Sequence, residues 1–143
     1  MPASFWSRLL RRVRRALAPA ARDRAVGNRG EAAAADLLRA RGYRIIARNA
    51  VTPRGEADLV AWAPDGRTLV VVEVKTRVRG ANARSDATPP EANVTRAKRR
   101  RLHAIATHLA RSNGWTDRPR RVDVVGVEID PDGSVRARVT ERV

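Results

Sequence analysis

The chain has 143 residues, a length that suits a single folded domain. It contains no cysteine, which excludes a disulfide framework and a cysteine-containing zinc site and favours a reducing compartment such as the cytoplasm. Thirty Lys and Arg residues against 15 Asp and Glu residues give a formal net charge of +15, which favours polyanionic partners, above all nucleic acid. No apolar run approaches the roughly 20 residues of a membrane-spanning helix, so we expect no integral membrane segment.

Residues 1–25 form an arginine-rich segment whose apolar side chains fall on one helical face. No uninterrupted apolar stretch follows the charges, which argues against a secretory signal. We interpret the segment as a basic amphipathic extension, mobile in solution, that precedes a single domain at residues 26–143. Two other roles remain open: an arm that binds nucleic acid, and a helix that lies on a membrane surface or directs targeting.

The first helix of the domain is predicted over residues 29–41, with Asn28 as its N-cap and Gly42 at its C-terminal end. Glu31 shares a helical stripe with small and apolar residues, so its side chain is expected to point toward the sheet. A capping box formed by Asn28 and Glu31 is a purely structural explanation for this acidic residue.

A first, edge-like strand is predicted at residues 43–48, and a β-hairpin follows it. The turn-forming sequence of residues 63–67 lies between two runs rich in Val and Leu, which is the usual signature of a hairpin. Residues 69–75 are apolar on both faces until the strand reaches its charged end, a pattern typical of a central strand that is covered on both sides.

The hairpin brings acidic residues together. If residues 64–67 form the loop, Asp58 faces Glu73 and Glu56 faces Lys75. Like charges directly opposed on two strands destabilise a sheet, so two such carboxylates usually have a cation between them. Glu56 paired with Lys75 would be an ordinary cross-strand ion pair, which is the structural alternative for Lys75.

This arrangement has the chemistry of a metal site. Mg²⁺ binds a few carboxylate or carbonyl oxygens and keeps several waters, and Asp58, Glu73 and the carbonyl of Val74 can supply such oxygens. Lys75 would then orient or help to deprotonate a water, or hold a phosphate oxygen. The sequence therefore predicts Mg²⁺, or Mn²⁺ in its place, as the cofactor.

The second half of the chain completes the predicted sheet. Residues 76–92 are rich in turn-forming residues and are predicted as a loop, a candidate substrate clamp. A second helix is predicted over residues 94–111 with a core stripe, and Lys98 lies one turn before that stripe begins, so it is expected to reach over the sheet toward a phosphate. The core stripe of this second helix consists of Leu102, Ile105, Ala106 and Leu109. Strands are predicted at residues 122–128 and 135–139.

Two further assignments concern charged side chains. Asp123 lies within a predicted strand and is expected to pair with an arginine. Basic residues near the acidic cluster are candidates for contacts with nucleic acid. They are Arg54, Arg77, Lys98 and Arg99, although Arg99 also fits a solvated helix face whose role is solubility.

The pattern of Asp58 followed, after 14 intervening residues, by Glu73-Val74-Lys75 resembles the PD-(D/E)xK nuclease superfamily. A longer set of motifs is similar to the YraN family of small bacterial proteins. The resemblance covers roughly residues 26–128. The motifs are Asn28-Arg29-Gly30-Glu31, Gly42-Tyr43, Arg48-Asn49, Gly55-Glu56-Ala57-Asp58-Leu59-Val60, Val72-Glu73-Val74-Lys75-Thr76-Arg77, Lys98 and Val122-Asp123-Val124-Val125.

The resemblance implies an α/β, restriction-endonuclease-like fold in which helices flank a mixed central β-sheet in the order α-β-β-β-α-β. It implies Asp58 and Glu73 as metal ligands and Lys75 as a catalytic residue. Because a glutamate on the first helix often lies near the metal in such nucleases, it also gives Glu31 a catalytic or metal-binding role. It leaves a homodimer open as the assembly.

We therefore expect a metal-dependent endonuclease that hydrolyses phosphodiester bonds in DNA, including branched or repair intermediates. A non-catalytic nucleic-acid-binding protein on the same scaffold is the main alternative. A basic protein that acts at a membrane through residues 1–25 is a third. The acidic residues favour the enzyme, because a protein that only binds polyanions gains nothing from carboxylates that face its ligand.

Overall fold

The computed structural model describes residues 21–80 and 88–143. The amphipathic extension predicted at the N-terminus therefore lies largely outside the described residues, as does the middle of the predicted clamp, residues 81–87. Within the described residues the elements follow in this order: α1 (Ala21–Ala40), β1 (Arg44–Thr52), β2 (Gly55–Trp62), β3 (Leu69–Val78), a 3-10 helix (Pro90–Asn93), α2 (Arg96–Ser112), β4 (Arg120–Ile129) and β5 (Val135–Thr140).

The five strands form one sheet in the order β1-β2-β3-β4-β5. Consecutive strands pair antiparallel except β3 and β4, which are parallel. A parallel pair needs a crossover connection, and α2 lies in the segment that joins these two strands. The prediction of an α/β fold with a mixed sheet and two flanking helices is confirmed, and the arrangement is compatible with a nuclease-like core.

The helices cover opposite faces of the sheet. Side chains alternate between the two faces along each strand, so each strand contributes to the packing on both. α2 packs its predicted stripe on one face, where Val71 of β3 and Val124 of β4 belong to the same buried cluster. α1 covers the other face and packs Leu38 against Val72 and Val125. The central strand β3 is thus buried from both sides, as its apolar sequence predicts.

The start of the first helix differs from its prediction. α1 begins at Ala21 rather than near Arg29, and Asn28 is an exposed residue inside the helix. The predicted N-cap and the capping box with Glu31 are therefore wrong. Residues 21–28 contain no proline and include two Ala and two Arg, which favour a helix. The helix can therefore extend before Asn28, although Asn28 is a suitable N-cap residue. The helix also runs through residue 25, where we expected the extension to end.

The end of the third strand also differs. β3 continues through Thr76, Arg77 and Val78, which were predicted to start a loop, because each of them pairs in register with β4. Parallel pairing with a strand distant in the sequence is not visible in local turn chemistry. α2 begins at Arg96 rather than Val94, after an N-cap in which Thr95 Oγ1 accepts a hydrogen bond from the backbone N–H of Lys98 at 3.2 Å.

α1 lies very close to the sheet at Gly30. A Cβ atom at this position would overlap Oγ1 of Thr76 on β3, so only glycine allows this approach. The contact fixes the middle of α1 against the C-terminal half of β3. Glu31, the next residue, is thereby held at the same end of the sheet as the predicted acidic cluster.

The predicted arginine partner of Asp123 is confirmed. Asp123 is fully buried, and its carboxylate accepts hydrogen bonds from Arg121 Nε at 3.0 Å and from the Tyr43 hydroxyl at 3.3 Å. Its Oδ1 also accepts the backbone N–H of Arg142 at 3.1 Å. Burial and the neighbouring Asp123 charge raise the pKa of Tyr43 to about 12. This network ties the residues after β5 to the sheet and leaves Asp123 a structural residue.

Candidate metal centre

The predicted hairpin register is confirmed for the four regular pairs of β2 and β3, and the structure adds an opening at the acidic end. Regular pairs run from Trp62 with Leu69 to Leu59 with Val72. Beyond these pairs, Oδ2 of Asp58 accepts a hydrogen bond from the backbone N–H of Val74 at 2.7 Å. A side-chain oxygen of β2 thus takes the place of the backbone carbonyl that would accept this hydrogen bond in a regular ladder. Strands β2 and β3 therefore part at Asp58, and neither the expected opposition of Asp58 and Glu73 nor that of Glu56 and Lys75 is among the regular pairs.

Glu73 lies beside this opening with its side chain only 7% exposed. Its Oε1 is 3.2 Å from the ammonium of Lys75, and its Oε2 is 3.4 Å from the ammonium of Lys98 on α2. The second contact is an ion pair without hydrogen-bond geometry, because Oε2 has no hydrogen-bond partner within the described residues. Two cations on different elements thus converge on one buried carboxylate.

The environment of Asp58 disfavours its charged form. Burial raises the pKa of this carboxyl to about 7, and the adjacent Glu73 charge acts in the same direction. The hydrogen bond from Val74 and the charge of Lys98 oppose the rise, while the Glu31 charge adds to it. A carboxyl whose ionisation is disfavoured by burial and by a neighbouring carboxylate is a common feature of metal and catalytic sites.

A backbone irregularity in β1 lies opposite Asp58. The pairs Arg48 with Leu59 and Ala50 with Ala57 leave Asn49 across from Asp58, and Asn49 has a φ of 48°. This left-handed conformation is uncommon outside glycine but is tolerated best by Asn and Asp. The strand is therefore bent where β2 and β3 separate.

The same asparagine connects the third predicted acid to the site. Asn49 Nδ2 donates a hydrogen bond to Oε2 of Glu31 at 3.4 Å. Burial raises the pKa of Glu31, the Asn49 hydrogen bond lowers it, and the charge of Glu56 raises it. Because the Glu31 charge also raises the pKa of Asp58, the helix glutamate belongs electrostatically to the same cluster.

The donor set suits a small divalent cation that keeps most of its water. Within residues 21–80 and 88–143, no group of three or more Asp, Glu, His or Cys side chains is placed to hold a metal ion. Mg²⁺ is commonly held by one or two carboxylates together with substrate phosphates, so Asp58 and Glu73 are sufficient. In a strand, the N–H and C=O of one residue point to the same side, so the carbonyl of Val74 faces the opening as well.

The four predicted nucleic-acid contacts have different surroundings. Arg54 is exposed in the turn between β1 and β2, and Arg99 is exposed on α2. Lys98 is held on Glu73, within the site itself. Arg77 is engaged elsewhere, since its guanidinium pairs with Glu128 and donates to the carbonyl of Thr88 at 2.8 Å. Of these residues, Arg77 is therefore the least suited to bind a phosphate.

Sequence reasoning missed Asn49 as a member of the site. The Arg48-Asn49 motif was part of the family resemblance, but a polar residue in an edge strand carries no sign of its backbone conformation. It also missed that Lys98 pairs with Glu73. That contact was available from helix periodicity, which already pointed Lys98 over the sheet.

Together the fold and the site define an α/β protein with a buried carboxylate–lysine cluster where a central hairpin opens. Residues 30–127 match the uncharacterised protein family UPF0102, also known as the YraN family, and the chain belongs to it. The resemblance inferred from the motifs is thus confirmed. No helix within residues 21–80 and 88–143 is long and apolar enough to cross a membrane.

Relatives from distant bacteria share most of the chain. A UPF0102 protein of Symbiobacterium thermophilum is 52% identical over 119 residues, which are 83% of this chain and 95% of the relative. One from Anaeromyxobacter dehalogenans is 45% identical over 112 residues, 78% of each chain. One from Renibacterium salmoninarum is 44% identical over 108 residues, 76% of this chain and 85% of the relative.

Proposed function

We propose that this protein is a metal-dependent endonuclease that hydrolyses phosphodiester bonds in DNA. The observation that supports this most is the half-buried Asp58 beside the buried Glu73 where the hairpin opens, with Lys75 and Lys98 directed at Glu73. Two neighbouring carboxylates in a poorly solvated site cost free energy unless a cation compensates them. A cation-binding role accounts for both acids together.

In the proposed mechanism, Asp58, Glu73 and the Val74 carbonyl would hold Mg²⁺. When bound, the ion would supply a more acidic water and would offset negative charge at phosphorus. A divalent cation beside Asp58 would favour its charged form and so oppose burial and the Glu73 charge, which raise its pKa.

The lysines carry the remaining chemistry. Lys75 lies on the same strand face as Glu73 and is half-buried, so its ammonium can orient the attacking water or donate to a phosphate oxygen. Lys98 enters from α2 on the same side and would hold a second phosphate oxygen. Glu31, oriented by Asn49, would orient a water or hold a second ion.

Binding of the DNA itself would rest on the strongly positive charge of the chain. Contacts between Lys or Arg and phosphates supply affinity but no base specificity. Arg54 and Arg99 are exposed and are the first candidates, while the paired Arg77 would contribute less.

The experiment is a cleavage assay with purified protein and Mg²⁺ or Mn²⁺ on linear, flapped and four-way DNA substrates. Asp58→Ala and Glu73→Ala should each abolish cleavage, and chelation should do the same. Asp36→Ala is the matched control, because this aspartate on α1 is 79% exposed and pairs only locally with Arg39. Cleavage that persists in both site variants would contradict the assignment.

A non-catalytic nucleic-acid-binding protein is the second candidate. The ion pairs from Lys75 and Lys98 to Glu73 favour it, because they already compensate that buried charge. It predicts salt-sensitive DNA binding without cleavage, and a DNA affinity that does not depend on Mg²⁺.

A further inference from the structure

Glu91 is a second buried glutamate on the same face of the sheet as Glu73. It lies in the 3-10 helix before α2, and its side chain is only 8% exposed. Its Oε2 has no hydrogen-bond partner within the described residues. A buried carboxylate oxygen without a partner costs free energy, so its retention calls for a functional explanation.

The carboxylate occupies the space above a glycine. A Cβ on Gly126 of β4 would overlap Oε2 of Glu91, so Glu91 fits only because this strand position has no side chain. Gly126 pairs with Lys75 on one side and with Arg138 of β5 on the other. Glu91 therefore lies in a row across the sheet, between a lysine and an arginine.

The two carboxylate oxygens of Glu91 have different surroundings. Oε1 of Glu91 is 3.6 Å from Nε of Arg138, while Oε2 accepts no hydrogen bond from residues 21–80 or 88–143. Paired residues on neighbouring strands are about 5 Å apart, a distance that a lysine side chain spans easily. Lys75, whose ammonium now contacts Glu73, thus has a second acceptor within reach.

We propose that Glu91 receives the ammonium of Lys75 when Glu73 binds a divalent cation, and so acts as a positioning residue for Lys75. This inference rests on the proposed function. A divalent cation on Glu73 repels the ammonium that contacts Oε1, so Lys75 must move. A carboxylate oxygen above the adjacent strand, without a hydrogen-bond partner in the described part of the chain, lowers the cost of that move and keeps Lys75 beside the site.

The test is Mn²⁺ affinity, measured by calorimetry without DNA, in the wild type, Glu91→Gln, Lys75→Met and the double variant. Glu91→Gln should weaken Mn²⁺ binding about tenfold, since a hydrogen bond to a charged group contributes roughly that factor. Lys75→Met should strengthen binding, because no ammonium has to be displaced. In the Lys75→Met background, Glu91→Gln should have no further effect.

Glu128→Gln is the matched control. It removes one negative charge from a half-buried glutamate two positions beyond Gly126, and that glutamate pairs with Arg77 rather than with Lys75. Should the Glu91→Gln variant not fold, as judged by circular dichroism, Glu91→Met fills a similar volume and replaces it in the comparison.

The outcomes are distinct. If Glu91→Gln binds Mn²⁺ like Glu128→Gln, or weakens binding equally with and without Lys75, the inference is overturned while the proposed function stands. A wild type that binds no Mn²⁺ overturns both. An effect of Glu91 that requires Lys75 supports the inference, whether or not a cleavable DNA substrate has been found.

Discussion

The carboxyl of Asp58 should make the metal-free protein less stable as the pH rises. Its pKa is raised from 3.8 to about 7 in the folded state, chiefly by burial and then by Glu73. In the unfolded chain the pKa returns to about 3.9. Between these two values the folded state holds a proton that the unfolded state releases, so the free energy of unfolding falls with increasing pH.

The size of this effect follows from the shift. A difference of roughly three pKa units corresponds to about 4 kcal/mol, absent below pH 4 and complete above pH 7. Asp58→Asn removes the ionisation, and the amide oxygen can still accept the N–H of Val74. We therefore expect this variant to be more stable than the wild type by up to about 4 kcal/mol at pH 8, and equally stable at pH 4.

Urea unfolding in EDTA at pH 4, 6 and 8 measures the difference directly. Added Mn²⁺ should stabilise the wild type at pH 8 and have less effect on the variant, because a ligand that binds only the folded state raises its stability. Asp36→Asn, on the exposed face of α1, should follow the wild type throughout. An Asp58→Asn variant that is less stable than the wild type at pH 8 would refute the reasoning and favour the binding protein.

Three further variants test the other parts of the site and the core. Lys75→Met should leave DNA affinity in gel shifts nearly unchanged and reduce the cleavage rate about 10²- to 10⁴-fold; a parallel loss of affinity would make Lys75 a phosphate anchor only. Asn49→Gly keeps the left-handed backbone without strain, so its melting temperature should hold while cleavage falls because Glu31 loses its amide partner. Leu102→Ala should cost roughly 2–5 kcal/mol in urea unfolding, since this residue of α2 is fully buried; a loss below 1 kcal/mol would mean that the helix is loosely docked.

The hairpin and its register were predictable because local sequence determines them. Turn residues fix the loop, the Val-rich flanks fix the alternation, and a shift of one residue would turn every side chain to the opposite face. The regular pairs that lead to Asp58 and Glu73 were therefore predictable, whereas the separation of the two strands at Asp58 was not. The core stripe of α2 followed in the same way from helical periodicity.

The parts that escaped prediction depend on contacts between distant segments. The last residues of β3 are a strand only because β4 pairs with them. The left-handed backbone of Asn49 in β1 reflects the separation of β2 and β3. Glu91 lies in a proline-rich segment without periodicity, and its burial depends on a glycine in β4. The local sequence around Glu91 does not indicate that it packs on Gly126, and the sequence of β4 does not indicate it either.

Two glycines described above, Gly30 and Gly126, carry no reactive group, yet each is the point where another element touches the sheet. In a saturation-mutagenesis map of this protein, Gly30 should be as intolerant as the acids, and even alanine should fail there, because a Cβ atom would overlap the short side chain of Thr76. Alanine at Gly126 should be tolerated only if the flexible carboxylate of Glu91 moves away. Neither glycine lies in a turn, so the map would record the spacing between elements as well as the chemistry of the site.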